Sequence, residues 1–163
     1  MRKYFYSCVL TVFAFEAMSQ TQTATPSALV YGEPIKLEQA EKAMTAALQE
    51  ATKNSWLMAI AIVDTSGKLV LFKKIDGTQL GSIDIAIGKA STANNFKRAT
   101  KVLEDAVAGG GLGLRLLAVP GVFPLEGGEL IMHNGKIIGA IGVSGAQSTQ
   151  DGQVARAGAG VIN

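Results

Sequence analysis

Apolar side chains recur at helical spacing along much of this chain. Between residues 37 and 52 they return at intervals of three and four, at Leu37, Ala40, Ala43, Met44, Ala47, Leu48 and Ala51. This spacing places them on one face of an α-helix. Residues 80–97 and 100–108 predict two more helices, the second ending at the glycines 109–111, as helices often do.

Two pairs of apolar runs predict β-hairpins. The runs 56–64 and 69–74 flank the turn TSGK, and the segment 127–145 contains Asn134-Gly135 between two apolar runs. Asn-Gly supplies the positive φ angles that a type I′ turn requires.

Two further segments complete the pattern. Residues 114–124 predict a strand or an extended loop that Pro120 breaks. A last helix is predicted to begin near Ser148, whose spacing to Asp151 resembles a capping box.

The order of these elements favours an α+β fold. Hairpins, rather than single strands alternating with helices, indicate a central antiparallel sheet of about five strands with helices packed on its faces. A doubly wound parallel sheet fits this order less well. A chain of 163 residues has the usual length of one domain, and we predict that domain over residues 35–163.

The residues before this domain follow another pattern. Two basic residues precede an apolar run over 4–17, and small residues follow at 17 and 19. This arrangement predicts a signal peptide over residues 1–19 and a periplasmic or secreted protein, because the run is shorter than the roughly 20 residues of a membrane span. Residues 20–34, polar and with two prolines, predict an exposed leader. The one cysteine, Cys8, lies in the predicted signal, so the mature chain would need no disulfide.

Charge narrows the choice of partners. The formal net charge is +2, from 15 basic and 13 acidic residues without a long run of one sign. Such a distribution provides no electrostatic footprint for nucleic acid or for an anionic membrane. We therefore expect neither as a partner, and no membrane span after the signal is removed.

The segment GVSGA at 142–146 resembles a catalytic serine turn only loosely. The G-x-S-x-G pattern requires glycine at 146, where alanine stands, and the only histidine, His133, precedes Ser144. We assign no catalytic residue on this basis. One histidine without cysteine cannot form a zinc site by itself. His133 could ligate iron, or it could lie partly exposed beside the turn.

Lys89 lies among small apolar residues in the segment IAIGKASTA. If its ammonium group is buried it requires an anion, for example Asp76 or an acidic group of a ligand. Alternatively, its stem packs along the helix and its charge reaches the surface.

Several segments in this order resemble the GlcG/HbpS family, which includes haem-binding proteins and PduO C-terminal-like domains. They are VDTSGKLVLFKKIDGT at 63–78, GKASTA at 88–93, GG at 127–128, GKIIGAIGVSGA at 135–146, and Asp151. The resemblance covers about residues 35–163. It implies a profilin-like fold and assembly into homo-oligomers.

The resemblance also implies a function. Some exported members bind haem, and one group partners a sensor kinase, so we expect an exported protein that binds a small ligand, with haem or a related tetrapyrrole as the cofactor. The alternatives are an enzyme acting on a small hydroxy or oxo acid, with Lys89 or Asp76 as acid or base, and a sensory or accessory partner protein without ligand chemistry.

The expected pocket lies between the helix that carries Lys89 and the hairpin that carries His133. Its predicted ligand contacts are Lys89, Thr92, Asp76, Gly127, Gly128 and Ser144, with His133 as the iron ligand. The chain departs from the family at Lys74, where many relatives have arginine, and at Ser91, where an aromatic residue is common. Lysine replaces a bidentate arginine clamp only in part.

Overall fold

A computed structural model describes residues 28–162 of the chain. The predicted signal peptide at 1–19 and residues 20–27 of the predicted leader lie outside the described residues. Among the described residues, no helix combines the length and the apolar character needed to cross a membrane.

Four strands and four α-helices follow one another in the described part, together with one 3₁₀ helix. In chain order they are α1 (Leu37–Lys53), β1 (Ala59–Asp64), β2 (Leu69–Lys74), α2 (Ser82–Phe96), α3 (Thr100–Ala108), the 3₁₀ helix (Gly111–Ala118), β3 (Gly128–His133), β4 (Lys136–Ser144) and α4 (Ser148–Ala159). Both predicted hairpins and all four predicted α-helices are confirmed, with shifts of a few residues at their ends.

The strands form one antiparallel sheet in the order β2-β1-β4-β3. The α+β class is confirmed, but the expected count of about five strands is wrong by one. The segment predicted as a possible strand, 114–124, forms the end of the 3₁₀ helix and a loop instead. Pro120 has no amide proton for a strand ladder, and the glycine-rich stretch before it lets the chain fold back onto α3.

Helices cover both faces of the sheet, and the two faces differ in residue size. Helices α1 and α4 cover one face, where large side chains such as Met44, Ile60, Ile141 and Val154 are fully buried. Helix α2 covers the other face over a layer composed mainly of alanine. The apolar stripe predicted for α1 is confirmed except at Leu37, which is exposed.

The alanine layer allows α2 to approach β4 closely. Gly142 of β4 lies under the helix, and a Cβ atom at this position would overlap the carbonyl oxygen of Ala86 and the amide nitrogen of Ala90. Backbone atoms within a helix cannot shift as a side chain can. The glycine at 142 therefore sets the distance between α2 and the sheet, and hence the position of every α2 side chain.

We expect Gly142→Ala to lower the free energy of unfolding by about 1–3 kcal/mol, the usual range for overpacking a core. Gly81→Ala is the matched control, since a Cβ there meets no atom within 4 Å and its φ is −60°. Urea denaturation of both variants tests this expectation. Equal stability of the two variants would contradict it.

Candidate functional site

A buried ion pair connects the helices on the two faces of the sheet. The ammonium nitrogen of Lys89, in α2, lies 2.7 Å from Oδ2 of Asp151, in α4. It also donates a hydrogen bond of 3.0 Å to the carbonyl oxygen of Val143, in β4. Both side chains are almost fully buried, 2% and 3% exposed. Of the two alternatives for Lys89, the buried one with an anionic partner is correct, but the partner is Asp151 and not Asp76.

Asp151 does not cap α4 in the way its spacing to Ser148 predicts. Its second oxygen, Oδ1, accepts a hydrogen bond of 3.1 Å from the backbone N–H of Ala146. At the helix terminus it is Gln150 that accepts a hydrogen bond, of 3.1 Å, from the backbone N–H of Gln147. Burial raises the pKa of Asp151, and the charge of Lys89 opposes that rise.

Gly127 closes the space above the ion pair. Its φ of +125° favours glycine, and a Cβ there would lie 2.9 Å from the Lys89 nitrogen and 2.6 Å from the carbonyl oxygen of Val143. The next residue, Gly128, donates its backbone N–H to Oγ1 of Thr100 at 2.8 Å. Lys89 and both predicted glycines therefore lie close together, as expected. Their contacts are with atoms of the protein itself.

The other predicted contacts lie apart from one another. Thr92 is 1% exposed, and its hydroxyl accepts a hydrogen bond of 3.0 Å from the backbone N–H of Phe123. Ser144 is also buried and donates to the hydroxyl of Ser82 at 3.2 Å. Asp76 is exposed in the loop after β2. The polar groups of Thr92 and Ser144 therefore support the packing of α2.

His133 lies at the opposite end of its strand from Gly128. Strand β3 runs from Gly128 to His133, which separates their Cα atoms by about 17 Å at 3.3 Å per residue. The expected pocket therefore divides into two places, the ion pair at one end of β3 and His133 at the other.

His133 lines two adjoining grooves on the surface. The larger has a volume of about 390 Å³, and its walls include Tyr31, Glu33 and Lys136. The smaller, of about 170 Å³, lies between His133, Gln39 of α1 and the chain after α4. We call the larger of these the His133 groove.

One wall of the His133 groove comes from the predicted leader. Tyr31 lies beside β4 through a parallel bridge to Ile137, and its hydroxyl donates to the carbonyl oxygen of Asn94 at 2.7 Å. The ammonium nitrogen of Lys97 lies 4.5 Å from the centre of the Tyr31 ring, within the range of a cation–π interaction. No motif predicted this contribution. The available signal was the short apolar run at 28–31, which ends in Tyr31 within an otherwise polar segment.

Carboxylates and His133 do not assemble a metal site by themselves. Within residues 28–162, no group of three or more His, Cys, Asp or Glu side chains is arranged to hold a metal ion.

The fold is that of a small α+β domain with one antiparallel sheet between helices. The family model described as "Haem degrading protein HbpS-like" matches residues 35–160, so this chain belongs to the HbpS-like family. The chain is also 37% identical over 107 residues to Protein GlcG of Escherichia coli strain K12, covering 66% of this chain and 78% of that protein.

Two solved structures extend the comparison. A double mutant of HbpS from Streptomyces reticuli is 30% identical, with a TM-score of 0.74 over 96% of this chain and 99% of that one. A PduOC:heme complex is 28% identical, with a TM-score of 0.72 over 80% of this chain and 96% of that one. The resemblance stated from the sequence motifs is therefore confirmed.

We expect Asp151→Asn to lower the free energy of unfolding by about 3–5 kcal/mol, because it leaves the buried charge of Lys89 without an anion. Asp105→Asn, which breaks the exposed pair of Asp105 with Lys101, should cause a far smaller loss. Urea denaturation compares the two.

A double variant tests whether the stability lost in Asp151→Asn comes from the unpaired charge of Lys89 or from altered packing. Lys89→Met combined with Asp151→Asn removes both charges and keeps an oxygen that can accept the N–H of Ala146, so it should recover much of the stability lost in Asp151→Asn alone. Similar stability of Asp151→Asn and Asp105→Asn would contradict this account of the ion pair.

Proposed function

We propose that this protein binds haem in the His133 groove. The observation that carries the proposal is the position of the imidazole of His133 in the wall of a surface groove, close to a cation and an aromatic ring. The family of this chain and the haem complex of a structural neighbour support it.

The chemistry of the groove fits the proposed ligand. A neutral imidazole is a common axial ligand of haem iron. Lys136 offers a positive charge for a haem carboxylate, and the partly exposed Tyr31 offers apolar surface for the flat ring; Glu33 also lines the groove. A volume of about 390 Å³ falls within the 300–1,000 Å³ of typical ligand sites. When bound, haem supplies an iron centre, and the residues of the chain bind and orient it.

Titration with haemin tests the site directly. We expect the unmodified protein to shift the Soret band, and His133→Ala to weaken binding at least tenfold and to lose the spectrum of a histidine-bound iron. Lys136→Gln should also weaken binding about tenfold, the equivalent of 1.4 kcal/mol, because it removes a charged hydrogen-bond donor.

Lys68→Gln is the matched control for Lys136→Gln, since Lys68 lies in the turn between β1 and β2 and does not line the groove. It should bind haemin like the unmodified protein. An unshifted free-haemin spectrum with the unmodified protein would refute haem binding. A normal shift in His133→Ala would refute the location.

The alternative of an enzyme with Lys89 or Asp76 as its acid or base has less support. The ammonium of Lys89 is held by Asp151 and Val143 and is 2% exposed, so no substrate reaches it without a rearrangement. Asp76 is exposed to solvent and has no ion-pair partner among the described residues. Binding requires neither group to move.

We further propose that the protein is exported and acts in the periplasm or outside the cell. There it forms a homo-oligomer and has a sensor or another exported protein as its partner. The basic start, apolar run and small residues of positions 1–19 support export. Expression of the full chain in a bacterium should give a periplasmic protein that starts at residue 20, as its intact mass would show. A full-length protein confined to the cytoplasmic fraction would contradict export.

A further inference from the structure

The sheet has two outer strands, and only one of them carries lysines, the residues that most often prevent pairing with another strand. Strand β2 ends in the exposed lysines Lys73 and Lys74. Lysines on an edge strand oppose association with further strands. Strand β3, with the sequence GELIMH, contains no lysine or arginine, and its residues Leu130 and Met132 are only partly buried.

The backbone N–H and C=O groups of Leu130 point away from β4, toward the open edge of the sheet. The N–H of Val143 donates to the carbonyl oxygen of Gly127 at 2.8 Å, so these two residues form a hydrogen-bonded pair between β4 and the start of β3. In an antiparallel ladder such pairs recur at every second residue. Glu129 and Ile131 therefore face β4, and Leu130 faces outward.

The backbone of Met132 points outward as well. Ile137 lies opposite Met132, and its N–H donates to the carbonyl oxygen of Val30 at 2.9 Å. Its carbonyl oxygen accepts from the N–H of Gly32 at 2.7 Å. Since both groups of Ile137 are directed away from β3, Met132 is the outward-facing residue of that pair.

On the outer side of β3, the backbone is hydrogen-bonded at one end of the strand and unpaired in its middle. At Gly128 the hydroxyl of Thr100 takes the outward N–H at 2.8 Å. On this side, the backbone groups of Leu130 and Met132 have no hydrogen-bond partner among residues 28–162. Their two N–H and two C=O groups form a short template for another strand.

We propose that β3 pairs antiparallel with β3 of a second copy of this chain, about a two-fold axis at Ile131. In this register Leu130 lies opposite Met132 of the second copy, and Met132 lies opposite its Leu130. Each of these two pairs exchanges two hydrogen bonds, which uses all of the open backbone groups. The two four-stranded sheets become one continuous sheet, and the interface uses the same surface of both copies.

Side-chain charges are compatible with this register. The one acidic residue of β3, Glu129, already accepts a hydrogen bond of 3.4 Å from Arg156 of its own chain. Ile131 belongs to the core under α1 and α4, so Glu129 and His133 point toward that same face. The register places Glu129 directly opposite His133 of the second copy, with Cβ atoms about 4.5–5.5 Å apart. It keeps the two Glu129 carboxylates at opposite ends of the interface.

The second copy would thereby add a carboxylate beside the His133 groove. Carboxylates that contact a histidine commonly fix the orientation of its ring. The interface itself rests on the sheet edge and does not require haem, so it stands or falls separately from the proposed function.

Disulfide trapping without haem tests both the interface and its register. In a full-length chain with Cys8→Ser, we expect the double variant Leu130→Cys with Met132→Cys to form a disulfide-linked dimer in most chains under mild oxidation. Opposed residues of a hydrogen-bonded pair have Cα atoms about 5.5 Å apart, within disulfide range. Each single variant should trap little dimer, because the axis separates its two copies of the cysteine by about 8 Å, estimated from strand spacing and rise.

A second measurement does not depend on cysteines. Light scattering should give the unmodified protein a mass of two chains or a multiple of two, and Leu130→Lys with Met132→Lys should halve it while circular dichroism stays unchanged. Leu69→Lys, at the exposed start of β2, should leave the mass unchanged. A monomeric unmodified protein would overturn the proposal, and so would single variants that trap dimer as well as the double variant.

Discussion

The ion pair between Lys89 and Asp151 is the constraint on which the arrangement of this domain depends. It joins α2 and α4, which lie on opposite faces of the sheet, and it also holds the end of β4 through Val143. A buried pair of charges is a weak source of net stability, because desolvation offsets most of the attraction. The pair instead favours this one arrangement of the helices, since any packing that separates the two groups leaves an unpaired charge in the interior.

This constraint explains why residues that resemble a binding motif serve the fold. Lys89 and the two glycines at 127 and 128 resemble a site for a bound anion, and in the structure they do surround one. The anion is the protein's own carboxylate, and Gly127 leaves room for the ammonium group. The proposed haem site lies apart from this ion pair, at the other end of β3.

The His133 groove depends on a segment that lies outside the repeating pattern of helices and strands. Residues 30–32 extend the sheet beside Ile137, at the point where β1 no longer accompanies β4. Tyr31 is held there by the carbonyl oxygen of Asn94 and by the charge of Lys97. The groove and the open edge of β3 meet at His133, so ligand binding and association of two copies would involve neighbouring surfaces.

The sequence by itself determined most of the elements and their order along the chain. The spacing of apolar residues located α1, Asn134-Gly135 located the turn between β3 and β4, and family motifs identified the fold, because these signals are local in the chain. Only the tertiary structure decided that Asp151 rather than Asp76 pairs with Lys89, that 114–124 adds no fifth strand, and that Tyr31 lies near His133. These outcomes depend on contacts between residues far apart in sequence, such as Lys89 and Asp151, whose numbers differ by 62, and no local pattern records such contacts.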